Sequence, residues 1–185
     1  MTEIWMVRHG QTEWNRSGRF QGQTDIPLNE VGLQQAQVLA GRLEQESFEA
    51  IYSSDLSRAY QTAEAVASVM HLPILRDPRL REICQGEWEG MDLHEVIEKY
   101  DVDIRDSQRD PATSRAPGGE SVAEVAARMS QAADEIAVRH PNGKVLLFTH
   151  GLACASLYCV VNHISLNEVH DFIPENATPL VIYLN

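Results

Sequence analysis

Two short apolar runs along the chain each lead directly into a histidine followed by a glycine. Residues Ile4–Val7 run into Arg-His-Gly, and residues Val145–Phe148 run into Thr-His-Gly. Uninterrupted apolar runs of this length are typical of buried strands. Ligands of open α/β sheets bind at the carboxyl ends of the strands. The pattern therefore predicts that the imidazoles of His9 and His150 lie side by side at one edge of a sheet.

Further strands and helices are predicted between these two runs. Asn29 is a candidate helix N-cap, and the apolar stripe that follows it predicts a helix ending near Gln45. Short strands are predicted at residues 50–52 and 73–75, and Ser53–Asp55 is expected to cap the helix between them. Strands that alternate with helices favour parallel pairing with helices on both faces. The predicted fold class is therefore α/β, a three-layer α/β/α sandwich around a mostly parallel central sheet.

The second half of the chain contains a weakly patterned region and then regular elements again. A short helix is predicted over His94–Tyr100, and the polar residues 101–115, which include three arginines, are interpreted as an irregular excursion. Because 185 residues suit one well-buried domain better than two, we predict a single domain over 1–185, with a lid-like excursion at about 91–117. After the excursion, the capping box Ser121–Glu124 predicts the start of a helix that ends near His140. A second capping box, Ser165–Glu168, predicts the start of a shorter element. The other predicted elements are a helix over Leu152–Val161 and a closing strand over Leu180–Leu184.

Charge and cysteine content narrow the classes of partner and compartment. The formal net charge of −12 disfavours nucleic acid and anionic membranes as partners. No apolar run is long enough for a membrane span or a signal peptide. The three cysteines are an odd number without metal-ligand spacing, so we expect a reducing, cytoplasmic setting. The sequence does not fix the oligomeric state and leaves a homodimer open.

Polar motifs follow the predicted strands in a fixed order along nearly the whole chain. The six segments are Val7–Asn15 with its continuation to Gly22 and Leu28, Tyr52–Ala59, Leu80–Glu82, Gly86–Gly90, Pro117–Ser121 and Thr149–Gly151. In sequence and order they resemble the signature of the histidine phosphatase superfamily, which includes the phosphoglycerate mutases. The resemblance implies a phosphoglycerate mutase-like fold and phosphoryl transfer through a phosphohistidine.

The same resemblance implies a role for individual residues. His9 is the implied nucleophile, since a neutral imidazole can attack phosphorus. Glu82 is the implied general acid and later the base that activates water, and His150 is an implied donor, neutral or charged, to the equatorial phosphate oxygens. The implied phosphate-binding residues are Arg8, Asn15, Gln21, Gly22, Arg58, His150 and Gly151. Arg8 and Arg58 are also counted as catalytic, because guanidinium groups bind phosphate through paired N–H donors.

Metal binding is the competing interpretation of the two histidines. His9 and His150 lack a convincing carboxylate as third ligand in the sequence pattern. We therefore expect no metal and no cofactor, and assign the positive charge at the site to arginines and histidines.

The length of the chain bears on which branch of the superfamily it resembles. Mutases of the superfamily are generally longer, with an insertion where this chain has only Met91–Ala116. The chain is most similar to the compact phosphatases, the α-ribazole phosphatase and broad-specificity types. The predicted function is a metal-independent phosphatase that hydrolyses small-molecule phosphate esters. A phosphoglycerate mutase-like isomerase and a non-catalytic module that binds a phosphorylated ligand are the alternatives.

Overall fold

A computed structural model describes the backbone of all 185 residues and every side chain except those of 102–104 and 106–108. Its five strands form one sheet in the order β3-β2-β4-β1-β5. The strands are β1 (Thr2–Arg8), β2 (Ala50–Ser53), β3 (Ile74–Arg76), β4 (Lys144–Thr149) and β5 (Pro179–Leu184). The first four pair in parallel, and β5 pairs antiparallel with β1. The mostly parallel sheet predicted from the sequence is confirmed.

Helices connect the strands at positions that their capping residues signal. The helices are α1 (Glu13–Ser17), α2 (Glu30–Leu43), α3 (Ser57–Met70), α4 (Leu93–Arg109), α5 (Val122–Arg139) and α6 (Gly151–Val161), and short 3-10 helices cover Pro78–Leu80, Gly86–Trp88 and Leu166–Phe172. The Asn29 side chain accepts from the Gly32 N–H at the start of α2. Ser121 and Glu124 form the expected capping box of α5. No helix among the described residues is long and apolar enough to cross a membrane.

Apolar side chains on the two faces of the sheet pack into separate clusters. Met6 and Leu147 point into a cluster with α5 and α6, whereas Val7 and Phe148 point into a cluster with α2 and α3. Successive strand residues face opposite sides, so both faces of β1 and β4 are covered. This arrangement confirms the three-layer α/β/α sandwich and buries the strands whose ends carry the two histidines.

The start of α3 differs from the prediction. Its N-cap is Leu56, which has no capping side chain, and not a residue of Ser53–Asp55. The Ser57 N–H instead donates to the Asp25 carboxylate, from a loop 32 residues earlier in the chain, at 2.7 Å. The cap is therefore supplied by tertiary structure, which local sequence does not specify.

The region after Gly90 is more regular than expected. The helix predicted over His94–Tyr100 is part of α4, which continues to Arg109 across a kink at Tyr100 (φ −134°, ψ 41°). Val96 and Tyr100 of α4 pack with Trp88. The part from 101 to 109 was predicted as irregular because its polar residues carry no apolar periodicity. The side chains of 102–104 and 106–108 lie outside the described residues, so the lid-like role of 91–117 stays a prediction.

The segment before β5 shows a smaller difference. Ser165 caps the 3-10 helix by accepting from the Asn167 N–H, and the predicted capping box with Glu168 does not form. The Glu168 N–H instead donates to the Ser165 backbone carbonyl at 2.9 Å, the i→i+3 bond of a 3-10 helix, so it is not available to the Ser165 hydroxyl.

Candidate active site

The two His-Gly segments meet at one edge of the sheet. Strands β1 and β4 are parallel neighbours, with Arg8 opposite Thr149. The His9 N–H donates to the Thr149 carbonyl at 3.0 Å. The ring centroids of His9 and His150 are 5.2 Å apart, and both residues are buried. The juxtaposition predicted from the two apolar runs is confirmed.

Hydrogen bonds fix the tautomer of His9. Its Nδ1 lies 2.7 Å from the carbonyl oxygen of Gly10. A carbonyl only accepts, so Nδ1 carries the hydrogen and Nε2 keeps its lone pair. Burial, followed by the positive charge of Arg58, lowers the pKa of His9 well below its ordinary value. The imidazole is therefore neutral near pH 7 and has a nucleophilic Nε2.

A close approach between two loops holds the backbone beside His9. A Cβ added at Gly10 would lie 2.5 Å from the Gly32 carbonyl oxygen at the start of α2, so only glycine fits there. The Gly10 N–H donates to the Thr62 hydroxyl of α3 at 3.0 Å, and the Asn176 amide donates to the His9 carbonyl at 2.8 Å. These contacts attach the histidine to three separate elements.

His150 is held behind His9 rather than exposed in the cleft. Its Nε2 lies 2.9 Å from the Ser54 hydroxyl, and its Nδ1 has no partner within the described parts of the chain. Burial and the charge of Arg58 lower the pKa of His150 well below its ordinary value. Of the two forms considered from the sequence, burial beside Arg58 favours the neutral one.

Two arginines supply positive charge and are fixed by backbone carbonyls. Arg8 donates from Nη1 to the Pro174 carbonyl at 2.8 Å. Arg58 donates to the carbonyls of Gly22 at 2.7 Å and Thr24 at 2.9 Å. Burial lowers the pKa of Arg58 to about 10, so the guanidinium stays charged at pH 7. Carbonyl partners orient both cations without neutralising them.

Glu82 completes the start of α6. Its carboxylate accepts from the N–H groups of Leu152 at 3.2 Å and Ala153 at 3.1 Å, and from that of Ile83 at 3.0 Å. The N-cap of α6 is His150, whose side chain makes no capping bond. A carboxylate is stabilised by the unpaired N–H groups and the positive end of a helix. Glu82 is thereby fixed beside the second histidine.

Two amides predicted to bind phosphate are oriented by one threonine. The Asn15 Oδ1 accepts from the Thr12 N–H at 3.1 Å, and the Gln21 Oε1 accepts from the Thr12 hydroxyl at 2.8 Å. Each side-chain oxygen is thus occupied, so the NH₂ group of each amide is the donor that a ligand would meet.

Most of the predicted residues line one cleft of about 290 Å³. Eight of the nine line it: Arg8, His9, Asn15, Gln21, Gly22, Arg58, Glu82 and Gly151. His150 is the ninth, and it lies beside His9 in the wall behind the cleft. The cleft therefore combines a neutral imidazole, two cations, two amide donors and a carboxylate.

Comparison with known proteins places this arrangement in a family. The family model of the histidine phosphatase superfamily (branch 1) matches residues 4–184. The chain belongs to the histidine phosphatase superfamily. The resemblance found from the six sequence segments is confirmed.

Individual relatives of the superfamily align over most of their length. Phosphoserine phosphatase 1 of Hydrogenobacter thermophilus is 37% identical over 100% of this chain and 87% of its own length. A probable phosphoglycerate mutase GpmB of Yersinia pestis is 36% identical over 85% of this chain and 73% of its own. A mycobacterial glucosyl-3-phosphoglycerate phosphatase, solved as a complex with VO₃, has a TM-score of 0.89 and 32% identity over 97% of this chain and 90% of that chain.

Sequence reasoning missed the side chain that secures the Glu82 segment of this histidine phosphatase. Arg128 of α5 donates to the carbonyls of Arg79, Arg81 and Glu82 at 2.7–2.9 Å. It also pairs with the Glu120 carboxylate at 3.0 Å. Glu120 belongs to the Pro-Gly-Gly-Glu-Ser segment, which was noticed, but Arg128 is a helix residue without a local signal.

Glu89 was also missed as an organiser of the loop Gly22–Thr24. Its carboxylate accepts from the N–H groups of Gln23 and Thr24 at 2.9 Å, from the Thr24 hydroxyl, and from the Gln85 N–H at 3.1 Å. Gly22 adopts φ +52°, and a Cβ there would lie 2.0 Å from Glu89 Oε1. The motif Gly-Glu-Trp-Glu-Gly signalled this carboxylate, although its partners could not be derived from the motif.

The described residues contain no group of three or more His, Cys, Asp and Glu side chains arranged to hold a metal ion. The positive charges lining the cleft belong to arginines, of which Arg19 is the third. Arg19 donates to the Glu95 carboxylate at 3.0 Å, so its charge is already compensated.

Proposed function

We propose that this histidine phosphatase hydrolyses phosphomonoesters through a phosphohistidine formed on Nε2 of His9. The observation that carries the proposal is the 2.7 Å hydrogen bond from His9 Nδ1 to the Gly10 carbonyl. It leaves Nε2 unprotonated in a cleft that also contains Arg8 and Arg58. A neutral nucleophile next to two fixed cations suits attack on a phosphate dianion.

The remaining residues stabilise and complete the transfer. Arg8, Arg58 and the amides of Asn15 and Gln21 donate to the three equatorial oxygens, which carry most of the charge in the transition state. His150, with its ring 5.2 Å from that of His9, contributes a further donor on the same side. Gly22 and Gly151 border the phosphate with backbone that no side chain obstructs.

Glu82 transfers the protons. In the first step its carboxyl group protonates the leaving oxygen, and the phosphoryl group bonds to His9 as the P–O bond breaks. In the second step the carboxylate takes a proton from water, which attacks the phosphohistidine and releases inorganic phosphate. Its three N–H partners hold it in one position through both steps.

A phosphoglycerate mutase-like activity is the second candidate, supported by the relative named as a probable mutase. A mutase retains a bisphosphorylated intermediate and needs cations for a second phosphate while water is excluded. The third arginine of the cleft, Arg19, is paired with Glu95, which favours hydrolysis over retention. Supplying 3-phosphoglycerate with and without 2,3-bisphosphoglycerate distinguishes the two activities, and isomerisation faster than phosphate release would establish the mutase.

The test of the nucleophile is a phosphorylation experiment. Brief incubation with a labelled phosphomonoester, followed by an alkaline quench, should leave acid-labile label on the protein. His9→Ala should abolish the label, whereas His94→Ala, an exposed histidine of α4, should retain it. Label that persists in His9→Ala contradicts the assignment.

We also propose a setting and an organisation for the chain. The ligand is a small-molecule phosphate ester, and the compartment is the cytoplasm, in line with the free thiols of Cys84, Cys154 and Cys159. Residues 1–185 act as one domain, because the last strand pairs with the first. Residues 91–117 act as a lid-like excursion, since Ala116 and Val96 of this segment belong to one apolar cluster with Phe20, which lines the cleft.

A further inference from the structure

A second cavity, of about 390 Å³, adjoins the phosphate cleft. This volume lies within the range of small-molecule sites, roughly 300–1,000 Å³. The residues that line both spaces are Phe20, Ile83, Gln85, Leu152 and His170. Because Ile83, next to Glu82 in the chain, and Leu152, whose N–H binds Glu82, line both spaces, an ester whose phosphate occupies the cleft would extend its alcohol portion into this second space.

The walls of the second cavity are predominantly apolar. The apolar side chains lining it are Phe20, Ile83, Trp88, Ala116, Val122 and Leu152. Ile83, Trp88 and Val122 are buried, so the wall belongs to the packed interior rather than to a mobile rim. Such a surface favours a ligand that removes apolar area from water.

The two formal charges of the cavity cancel one another. Arg115 and Glu120 line it, which gives one positive and one negative group. Arg115 is also paired with Glu124 at 3.1 Å, and Glu120 with Arg128 at 3.0 Å. An anionic group on the substrate would therefore meet no surplus of positive charge here. The uncharged polar groups of Gln85 and Asn167 remain for hydrogen bonding.

We propose that this cavity binds the leaving group, and that the substrate class is the monophosphate ester of an uncharged, predominantly apolar alcohol. This inference rests on the proposed function and makes it more specific. It separates the chain from its relative named as a phosphoserine phosphatase, because a leaving group with a carboxylate would lose hydration in an apolar space without gaining a partner.

A series of primary n-alkyl phosphates from ethyl to hexyl tests the proposal on the unmodified protein. Their alcohols have nearly the same basicity, so the chemical step is matched and differences in kcat/KM report binding of the chain. Each buried methylene should raise kcat/KM about fourfold, and hexyl phosphate should exceed ethyl phosphate on the order of 100-fold. Hexyl phosphate with a terminal carboxylate should lose most of this gain.

Two variants localise the effect. Leu152→Ala removes an apolar wall but keeps the backbone N–H that binds Glu82, and it should reduce the hexyl-to-ethyl ratio about threefold or more. Val160→Ala, on the exposed side of the same helix, should leave the ratio unchanged. Equal effects of the two variants would contradict the location of the subsite.

The outcomes separate this inference from the proposed function. No phosphate release from any ester, p-nitrophenyl phosphate included, refutes the proposed function itself. Turnover of all alkyl phosphates with a flat chain-length dependence overturns the apolar subsite alone. A carboxylated ester that matches or exceeds hexyl phosphate overturns the assignment to uncharged alcohols and points to His170 or Arg115 as its partner.

Discussion

Replacing Glu89 by glutamine tests whether the loop Gly22–Thr24 holds Arg58 in the position that the proposed function requires. The carboxylate accepts four hydrogen bonds from Gln23, Thr24 and Gln85. The carbonyls of the same loop, at Gly22 and Thr24, accept from the guanidinium of Arg58. The loop thus connects the Glu89 carboxylate on one side to the guanidinium of Arg58, the proposed catalytic cation, on the other.

The expected magnitude follows from the number of donors that lose an acceptor. The amide NH₂ of glutamine cannot accept, but if it replaces the oxygen bound by Thr24, the Thr24 hydroxyl can rotate to accept from it, and only the Thr24 N–H is left without a partner. One unsatisfied donor in a partly buried site costs about 1–3 kcal/mol of local loop order. A shifted loop moves Arg58, so we expect kcat/KM to fall at least about fivefold and inorganic phosphate to bind more weakly.

Three measurements decide the outcome for Glu89→Gln: kcat/KM with a phosphomonoester, the Kd of inorganic phosphate, and the free energy of unfolding in urea. Glu87→Gln is the matched control, because Glu87 lies in the 3-10 helix that ends just before Glu89 and its carboxylate accepts from the Tyr100 hydroxyl, away from the cleft. Loss of unfolding free energy with unchanged phosphate affinity would refute the coupling between the loop and Arg58.

Two further predictions concern protons at the site. Glu82→Gln should slow the turnover of alkyl phosphates by about 10²–10⁴-fold. The turnover of p-nitrophenyl phosphate should slow much less, because that leaving group needs no proton. Equal losses of kcat for the two kinds of substrate would assign Glu82 to positioning instead. The lowered pKa values of His9 and His150 mean that the unfolded chain takes up protons before the folded one does as pH falls. The contribution of the two histidines to the free energy of unfolding should therefore be fully present above about pH 6.5 and decrease below it as pH approaches the folded pKa values. Urea unfolding measured between pH 8 and 5 should show this decrease, and the decrease should be smaller in His150→Gln.

The sequence alone determined the elements whose signals are local. The apolar runs of β1 and β4 identify buried strands, and the capping residues Asn29 and Ser121 mark helix starts to the residue. Parallel topology then follows from the alternation of strands and helices. The nearness of His9 and His150 was predictable for the same reason, since two neighbouring parallel strands end at the same edge of the sheet.

The sequence was less informative where the signal is weak or the partner is distant. Residues 101–109 continue a helix without apolar periodicity, which a pattern-based prediction does not detect. The cap of α3 comes from Asp25, which no rule about neighbouring residues identifies. The second case depends on a contact formed only once the chain has folded.

Tertiary structure alone decided how the candidate site is held. Glu82 meets the start of α6 across 71 residues, and Arg128 reaches the Glu82 carbonyl across 46. Glu89 orders a loop 65 residues away, whose carbonyls then orient Arg58. Motif residues could be named from the sequence because their types are suited to phosphate chemistry. Their orientation depends on hydrogen bonds between segments that only the folded sheet and its helices bring within 3 Å of one another.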